Sequence, residues 1–581
     1  MDIMQVRRKY FSSKDKNAKK LSSKEHRILE QAKIAWGKTL KEFYYPPLTE
    51  PNFVFDYTNI EGFYINPENK WQITMNLANA PLFKDDENYI DYFHAISLHE
   101  VSHYEVIPYD GLIHAKLLHS AMKKINQHFA PIVVNIFADL VVDTLLYRKY
   151  PKLMKWEIEE TYQHLKDTHK EGISDFSQFL FKAYEKMWNE SLFKDMNIPQ
   201  MEELAEKVVT VMGDDFEDDQ TWEAKVTKIA YYLSDLVMDT FSLIGGAAKC
   251  KTGHTKRKSP DGQVTLDMPE DVVEVMDNPL ETKNGDKLKK DSDEEKQRKA
   301  EEFAKDVPYS EFGAPAGQAG ILIDGNPLAT WYRGIAKGLI EINIFEERPG
   351  GQLPVSIETW RIGDPMEELD IVQTLLTSPV IIPNITTRKW TYKEGPGHLI
   401  EKQLPDLLIV LDSSGSMDWN YTAKYPSQRG AYHTALVASF AALHYAASKG
   451  VKFSVINFSN QANTCQWTTD YEKAERQLLR YQGGGTHLPT KKIIEQCNKA
   501  ERKTLVFIIT DFGIYNWGAS KKAMINLVNQ GHKIVGFFIG SPSIPKKRFK
   551  DLMDKVTLYP IKNQKDLINL VIEEVKRYYA S

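Results

Sequence analysis

Apolar residues recur at helical spacing through the first part of the chain. The stretches YFHAISLHEVSHYEV and PIVVNIFADLVVDTLLY place them three or four positions apart, which is the period of a helix with one buried face. We therefore expect residues 1–249 to form a mostly α-helical domain.

From Pro405 onward the pattern changes to short, continuous apolar runs separated by amphipathic stretches. The runs are LLIVLD, VKFSVINFS, TLVFIITD and KIVGFFIG, and TALVASFAALHYAASKG lies between the first two. Continuous apolar strands that alternate with helices indicate a parallel sheet covered on both faces. Residues 401–581 are thus predicted to form a doubly wound α/β domain, in which ligands bind beyond the carboxyl ends of the strands.

Two further segments lie between these domains. Residues 250–306 contain KTGHTKRKSPDG and NGDKLKKDSDEEKQRKAEE, which are rich in alternating charge and nearly free of aromatic side chains. Such a segment buries too little apolar surface to offset its ordering entropy, so we expect a charged, flexible linker. Residues 307–400 regain tryptophan and β-branched runs such as PVIIPNITTRKW, which predict a small extended module to which no chemistry is assigned.

Composition limits the choice of partners and compartment. The chain has 581 residues, 42% of them hydrophobic, and a net charge of -5, so neither nucleic acid nor an anionic membrane is expected as a partner. Its three cysteines (Cys250, Cys465 and Cys497) are scattered, which favours free thiols in a reducing compartment. The N-terminus lacks the apolar core of a signal peptide, and we expect a cytoplasmic protein.

Polar residues follow three of the predicted strands. The first strand runs directly into Asp412, Ser414 and Ser416 of the sequence DSSGS, GGGTHLPT supplies Thr486, and VFIITDFG supplies Asp511. Carboxylate and hydroxyl oxygens are hard ligands that suit Mg²⁺. A lone DSSGS is also compatible with an ordinary strand-to-helix turn capped by serines, but the two later residues follow strands in the same way.

On these motifs, residues 401–581 resemble the von Willebrand A family. In that family the DxSxS motif, a threonine of a second loop and an aspartate of a third form a metal-ion-dependent adhesion site. The resemblance implies that Mg²⁺ is held by the five residues Asp412, Ser414, Ser416, Thr486 and Asp511. It also implies that the ion takes a carboxylate of a protein partner as an added ligand.

A second motif, HEVSH, lies in the helical domain. His99 and His103 are four residues apart and therefore share one helix face, so both imidazoles can bind one Zn²⁺. Glu100 lies beside them as a base for a water molecule, which is the arrangement of zinc peptidases with an HExxH helix.

A third protein ligand is needed to complete such a zinc site. Asn135, Asp139 and Asp143 form a polar stripe on an otherwise apolar helix, where unpaired carboxylates are costly. We predict Asp139 as the ligand, with its two neighbours as orienting partners. The competing candidates are Asp110, His114 and His119. His94, one turn before the motif, is interpreted as a histidine without a metal role.

The HExxH helix, the N-x-x-x-D helix and the distant adhesion site together resemble bacterial proteins in which a metallopeptidase-type domain is fused to a von Willebrand A domain. This resemblance implies Asp139 as the zinc ligand and a ring-shaped AAA+ ATPase of the MoxR class as partner. The chain has no GxxxxGK[ST] nucleotide motif of its own.

Two functions remain open from the sequence. One is a zinc metallopeptidase in which Zn²⁺ polarises the scissile carbonyl and Glu100 takes a proton from water. The other is a non-enzymatic adaptor, or a chelatase-type subunit of the ATPase, with a structural or vestigial HExxH site. The two hypotheses differ in the need for Glu100, because hydrolysis requires this residue and an adaptor does not.

Overall fold

The structure is a computed structural model of the chain. It describes residues 21–43, 50–55, 63–66, 72–107, 110–168, 173–196, 198–247, 293–323, 326–344, 353–378, 380–393, 404–419, 430–511, 513–539, 552, 555–561 and 564–579. The described residues divide into two compact units, one up to residue 335 and one from residue 336.

The first unit is mostly helical, as the sequence predicts. Its helices are α1 (Ser23–Glu42), α2 (Asp86–Glu105), α3 (Gly111–Met122), α4 (Ala130–Lys149), α5 (Pro151–Thr168), α6 (Asp175–Met187), α7 (Pro199–Met212), α8 (Asp219–Ala247), α9 (Asp293–Ala304) and α10 (Tyr309–Gln318). Helix α11 (Pro327–Ile344) begins in this unit and ends in the second.

Helix α4 lies in the core of the first unit. It packs against α2, α3, α5, α6 and α8. It is long and apolar enough to cross a membrane, with a mean hydropathy of 1.6, but 67% of that window is buried inside the protein. The helix therefore has the properties of a core helix, and its aspartates face other parts of the protein.

A small sheet, which the sequence patterns did not reveal, also belongs to the first unit. Its strands are β1 (Asn52–Val54), β2 (Phe63–Asn66) and β3 (Gln72–Asn76), in the order β1-β3-β2. Met75 and Leu77 pack with Trp36 of α1 and Phe93 of α2 in one buried cluster. This cluster fixes the N-terminal half of α2, and so the start of the HExxH helix.

The predicted linker differs from the structure at its end. Residues 250–292 of the predicted linker, which include Cys250, lie outside the described residues. Helix α9 follows, and it packs on α3 and α10 with Ala300, Phe303 and Ala304 buried. Residues 293–304 are therefore a packed helix and not a solvated linker. Their charges are accommodated by ion pairs such as that between Glu301 and Arg333, 3.2 Å apart.

The region predicted as one extended module is divided between helices and a hairpin. Its first part forms α10 and α11, and Trp331 is buried there, where its indole donates to the carbonyl of Val307. The extended part consists of β4 (Leu353–Thr359) and β5 (Arg388–Lys393), which pair antiparallel, with the short helix α12 (Ile371–Thr377) between them.

The second unit contains a six-stranded sheet in the order β11-β10-β9-β6-β7-β8. The strands are β6 (Asp406–Asp412), β7 (Phe453–Phe458), β8 (Ala462–Thr468), β9 (Thr504–Thr510), β10 (Lys533–Ile539) and β11 (Thr557–Ile561). The helices are α13 (Ala431–Ser448), α14 (Tyr471–Leu478), α15 (Thr490–Lys499), α16 (Trp517–Asn529) and α17 (Gln564–Tyr579).

Both faces of this sheet are covered, as predicted for a doubly wound fold. Leu408 and Val410 of β6 pack with Ile493 of α15 and Leu527 of α16, whereas α13 packs on β6, β7 and α17. One strand departs from the prediction of a purely parallel sheet. Strand β8 is antiparallel to β7, because only three residues connect the two strands and a parallel neighbour needs a longer crossover.

Candidate metal centres

The first candidate site lies where strands β6 and β9 end. These strands are parallel neighbours. After β6 the chain continues to β7 on one side of the pair, and after β9 it continues to β10 on the other side. The site therefore occupies a topological switch point of the sheet. Asp412 ends β6, and Asp511 directly follows β9. The shared edge of the sheet is what brings these two distant carboxylates together.

Asp412 is fully buried and held from two sides. Its Oδ1 accepts from the backbone N–H of Ser414 at 2.9 Å, and its Oδ2 accepts from the hydroxyl of Thr510 at 2.5 Å. Burial raises the pKa of Asp412 to about 6, and the charge of Asp511 acts in the same direction. A bound cation would offset both costs.

The DSSGS loop is fixed against the glycine loop that contains Thr486. The N–H of Gly415 donates to the carbonyl of Gly484 at 2.7 Å, and the N–H of Gly483 donates to the carbonyl of Ser413 at 2.9 Å. A side chain at residue 415 would place its Cβ 3.1 Å from the Gly483 carbonyl oxygen, a tight contact, so the close approach favours glycine.

The remaining polar atoms border the same space. The hydroxyls of Ser414 and Ser416 are 3.2 Å apart. A Cβ built on Gly513 would lie 3.4 Å from Thr486 Oγ1 and 3.6 Å from Asp511 Oδ1, so these two oxygens lie near one point beside Gly513. The structure thus brings all five predicted residues to one edge of the sheet, with a set of oxygen donors that suits Mg²⁺.

Comparison with known families assigns this part of the chain. Residues 407–514 match the family model described as von Willebrand factor type A domain. This region is a von Willebrand A domain. The sheet of the domain continues beyond the match, because β10, β11 and α17 follow residue 514. No curated protein matches the chain.

Several solved structures are similar to part of this chain. The pilus adhesin SpaC from Lactobacillus rhamnosus GG is 12% identical, with a TM-score of 0.25, and the match covers 31% of this chain and 31% of the adhesin. BatB from Bacteroides thetaiotaomicron is 15% identical (TM-score 0.23), over 30% of this chain and 100% of BatB. An aerotolerance-related membrane protein from Bacteroides fragilis is 16% identical (TM-score 0.23), over 30% and 99%.

The second candidate site joins α2 and α4 in the helical unit. His99 Nε2 and His103 Nε2 are 3.1 Å apart. Oδ1 of Asp139 lies 3.7 Å from the first nitrogen and 3.3 Å from the second. Among the described residues, these three form the one group of histidine, cysteine and carboxylate side chains that converges closely enough to hold a metal ion.

The spacing of these three atoms fits zinc. Ligand atoms about 2.0–2.1 Å from a tetrahedral Zn²⁺ lie roughly 3.3–3.4 Å from one another, and the three observed distances of 3.1, 3.3 and 3.7 Å lie on either side of that value. The charges fit as well, because Glu100, Asp139 and Asp143 all act on His99. A further, half-buried carboxylate, Glu157, interacts electrostatically with both Asp143 and His99. A divalent cation would offset this accumulation of buried negative charge.

Hydrogen bonds hold both imidazoles and the carboxylate in place. His103 Nδ1 lies 2.7 Å from the carbonyl oxygen of Ile107, so this nitrogen carries the proton and Nε2 is left as an acceptor. Oδ2 of Asp139 accepts from the amide of Asn135 at 3.0 Å, which leaves Oδ1 directed at the imidazoles. Asn135 therefore has the orienting position that the sequence predicts.

The pKa of His99 is strongly perturbed by its surroundings. Burial is the largest single influence and opposes the charged form, but the Asp143 carboxylate at 2.6 Å, Asp139 and Glu100 together outweigh it and raise the pKa of His99 to about 10. Without a metal ion, the neighbouring carboxylates favour the protonated imidazole. A bound Zn²⁺ would replace that positive charge and take the Nε2 lone pair.

Glu100 lies at the site without being one of the three converging ligands. It is buried on α2, and burial raises its pKa above the ordinary value, whereas the two imidazoles act in the opposite direction. A carboxylate with a raised pKa beside two histidines that could hold a metal ion has the properties of a candidate general base.

The competing ligands contact other partners. Asp110 caps the N-terminus of α3 by accepting from the N–H of Ile113, and His119 lies 2.8 Å from Glu311. Burial lowers the pKa of His114 to about 4, and His114 is outside the converging group. His94 bonds to the hydroxyl of Thr39 at 2.9 Å, as expected of a core histidine.

Sequence patterns did not indicate several side chains that support the two sites. Tyr184, a residue of helix α6, donates its hydroxyl proton to Asp143 Oδ2 at 2.6 Å. Burial raises the pKa of Glu157 on α5 to about 7, and the Asp143 charge contributes. Neither residue belongs to a motif. Thr510 could have been identified from the sequence, since it directly precedes Asp511 at the end of β9.

Proposed function

We propose that the helical unit is a zinc-dependent hydrolase of the metallopeptidase type. The observation that supports this most is the convergence of His99 Nε2, His103 Nε2 and Asp139 Oδ1 within 3.1–3.7 Å of one another, beside a buried carboxylate that is not a ligand. Three protein ligands leave a fourth position of a tetrahedral ion for water or substrate.

The residues of this site would have different roles in hydrolysis. His99, His103 and Asp139 would hold the ion, which when bound supplies a Lewis acid for a carbonyl and acidifies water. Glu100 would accept the proton of the attacking water and deliver it to the leaving amine, and its raised pKa makes the carboxylate a stronger proton acceptor than an exposed glutamate. Ile107 and Asn135 keep the ligand atoms oriented through their hydrogen bonds.

The test compares two substitutions on the purified full chain. Glu100→Gln should retain one zinc per chain, measured by elemental analysis, and lose cleavage of fluorescently labelled casein. Asp139→Ala should lose the zinc itself. Glu105→Gln is the matched control, since this glutamate is an exposed residue of the same helix, and it should keep both properties.

The outcome separates this function from its alternative. Zinc in the wild type without any cleavage would support an adaptor with a structural zinc. Absence of zinc from the wild type, or full zinc occupancy after Asp139→Ala, would overturn the proposed site.

The von Willebrand A domain is proposed to bind a protein partner through Mg²⁺ and a carboxylate of that partner. The support is the set of oxygen donors at the edge between β6 and β9, among which Ser416 is exposed to an approaching ligand. The partner we propose is an AAA+ ATPase of the MoxR class, as the resemblance of the sequence implies. Binding of such an ATPase should require Mg²⁺ and be lost in Asp412→Ala.

A further inference from the structure

A chain of hydrogen bonds extends from His99 away from the candidate zinc position. His99 Nδ1 lies 2.6 Å from Asp143 Oδ1, and the hydroxyl of Tyr184 donates to Asp143 Oδ2 at 2.6 Å. The three side chains come from three different helices, α2, α4 and α6. Their meeting is therefore a product of tertiary packing and not of a local motif.

The inner bond of this chain sets which nitrogen of His99 is available. With Nδ1 donating its proton to Asp143, Nε2 is the nitrogen that faces His103 Nε2 and Asp139 Oδ1, and its lone pair is available to a metal ion that replaces the Nε2 proton. A carboxylate bonded in this way also makes the imidazole a stronger donor to a metal ion. Asp143 thus acts on the site through His99.

The outer bond sets the orientation of Asp143. This carboxylate is 9% exposed, so each of its oxygens needs a donor to offset the loss of water. His99 supplies a donor to Oδ1 and Tyr184 supplies one to Oδ2. Without the hydroxyl, the carboxylate would turn to recover a partner for Oδ2 and would weaken the bond that fixes His99.

We propose that Tyr184 is a positioning residue of the zinc site, which acts through Asp143 to hold His99 as an Nε2 ligand. This inference rests on the zinc site proposed above and assigns a function to a residue outside both motifs. Partners that orient metal ligands typically contribute roughly 10–100-fold in metal affinity, so removal of the hydroxyl should be measurable without any substrate.

The test measures zinc affinity of the full chain by competition with a chromophoric chelator. Tyr184→Phe should lower the affinity by about tenfold or more and change the visible spectrum of the Co²⁺-substituted protein. The matched control is Tyr162→Phe, because Tyr162 also donates to an aspartate, Asp195, at 2.9 Å, but on the exposed surface. The control should leave both the affinity and the spectrum unchanged.

A double-substitution cycle tests whether Tyr184 acts through Asp143. Asp143→Asn keeps an acceptor for His99 but removes the charge, and it should also lower zinc affinity. Adding Tyr184→Phe to Asp143→Asn should cause little further loss, since the outer bond then has no carboxylate to orient. Fully additive losses would overturn the proposed route, and so would wild-type affinity in a folded Tyr184→Phe protein.

The two proposals can fail separately. A wild type that binds no zinc overturns the proposed site and this inference together. A wild type that binds zinc, with Tyr184→Phe equal to it, overturns the inference alone. If Tyr184→Phe does not fold, the zinc affinity of Asp143→Asn tests the inference instead. An affinity equal to that of the wild type would show that Asp143 does not act on the site through His99.

Discussion

Two aspartates one turn apart on α4 contact different nitrogens of the same histidine. Asp139 faces Nε2 of His99, and Asp143 faces Nδ1 at 2.6 Å. The same residue type therefore has two chemical roles, one as a candidate ligand and one as an orienting base. The distinction comes from the position of each carboxylate relative to the imidazole ring, since both residues lie on one face of the helix.

The adhesion-type site allows a prediction for a single residue. Asp511→Ala should weaken Mg²⁺ binding by more than about tenfold, because residues that merely orient ligands already contribute roughly 10–100-fold. Its side chain is only half-buried, so the fold should survive. Isothermal titration with Mg²⁺ checks the affinity. Glu472→Gln, an exposed carboxylate of α14, is the control, and equal affinity in both variants would contradict the site.

Among the helices, α9 and α11 show how a highly charged segment becomes part of a core. Helix α11 approaches α9 so closely that a Cβ on Gly334 would lie 2.3 Å from the carbonyl oxygen of Glu301 and 2.7 Å from Cβ of Ala304. At the same contact Arg333 pairs with Glu301, and both side chains are buried. Glycine permits the approach, and the ion pair satisfies the charges that the approach buries.

This helix contact predicts opposite effects for two glycine substitutions. Gly334→Ala should lower the free energy of unfolding by about 1–3 kcal/mol, since the methyl group meets backbone that must move. Gly37→Ala in α1 has nothing within 4 Å of the added Cβ and should raise it by about 0.5–1 kcal/mol through helix propensity. Urea unfolding followed by circular dichroism measures both. A stabilising Gly334→Ala would show that α9 and α11 are not in close contact.

On the scale of the whole molecule, each unit has its own buried core and its own candidate metal. Because a metal that binds only the native state stabilises it, each ion should stabilise one unit selectively. In calorimetry of chelator-treated protein, Zn²⁺ at about 100 times its dissociation constant should stabilise the helical unit by about 2.7 kcal/mol. Mg²⁺ should instead raise the temperature at which the von Willebrand A domain unfolds.

Crossed variants make that prediction specific. His103→Ala should abolish the zinc shift and keep the magnesium shift, whereas Asp412→Ala should do the reverse. A zinc shift that persists in His103→Ala would place the zinc elsewhere in the chain.

Much of the second unit could be predicted from sequence alone. The apolar runs that become β6, β7, β9 and β10 are buried along nearly their whole length, and their continuity indicated a sheet covered on both faces. Once the strands were placed, Asp412 and Asp511 had to lie at one edge. The antiparallel strand β8 was missed because its side chains are only half-buried, so its pattern lacks the apolar continuity of the others.

In the helical unit the sequence determined less. The i, i+4 spacing of His99 and His103 placed both imidazoles on one face whatever surrounds the helix, and the polar stripe of α4 identified its functional side. Helix α9 was misjudged because its charges predict solvation, whereas an ion pair to another helix allows burial.

Local sequence therefore determined the motifs, the mostly helical character of the first unit and the buried strands of the second, because strand and helix periods relate residues only a few positions apart. Tertiary packing decided that Asp139 faces the two Nε2 atoms while Asp143 faces Nδ1, since this depends on how α4 is rotated against α2. It alone brought Tyr184 to Asp143 from a separate helix. No local period encodes such a contact, because the residues are brought together by the burial of other side chains on the same helices.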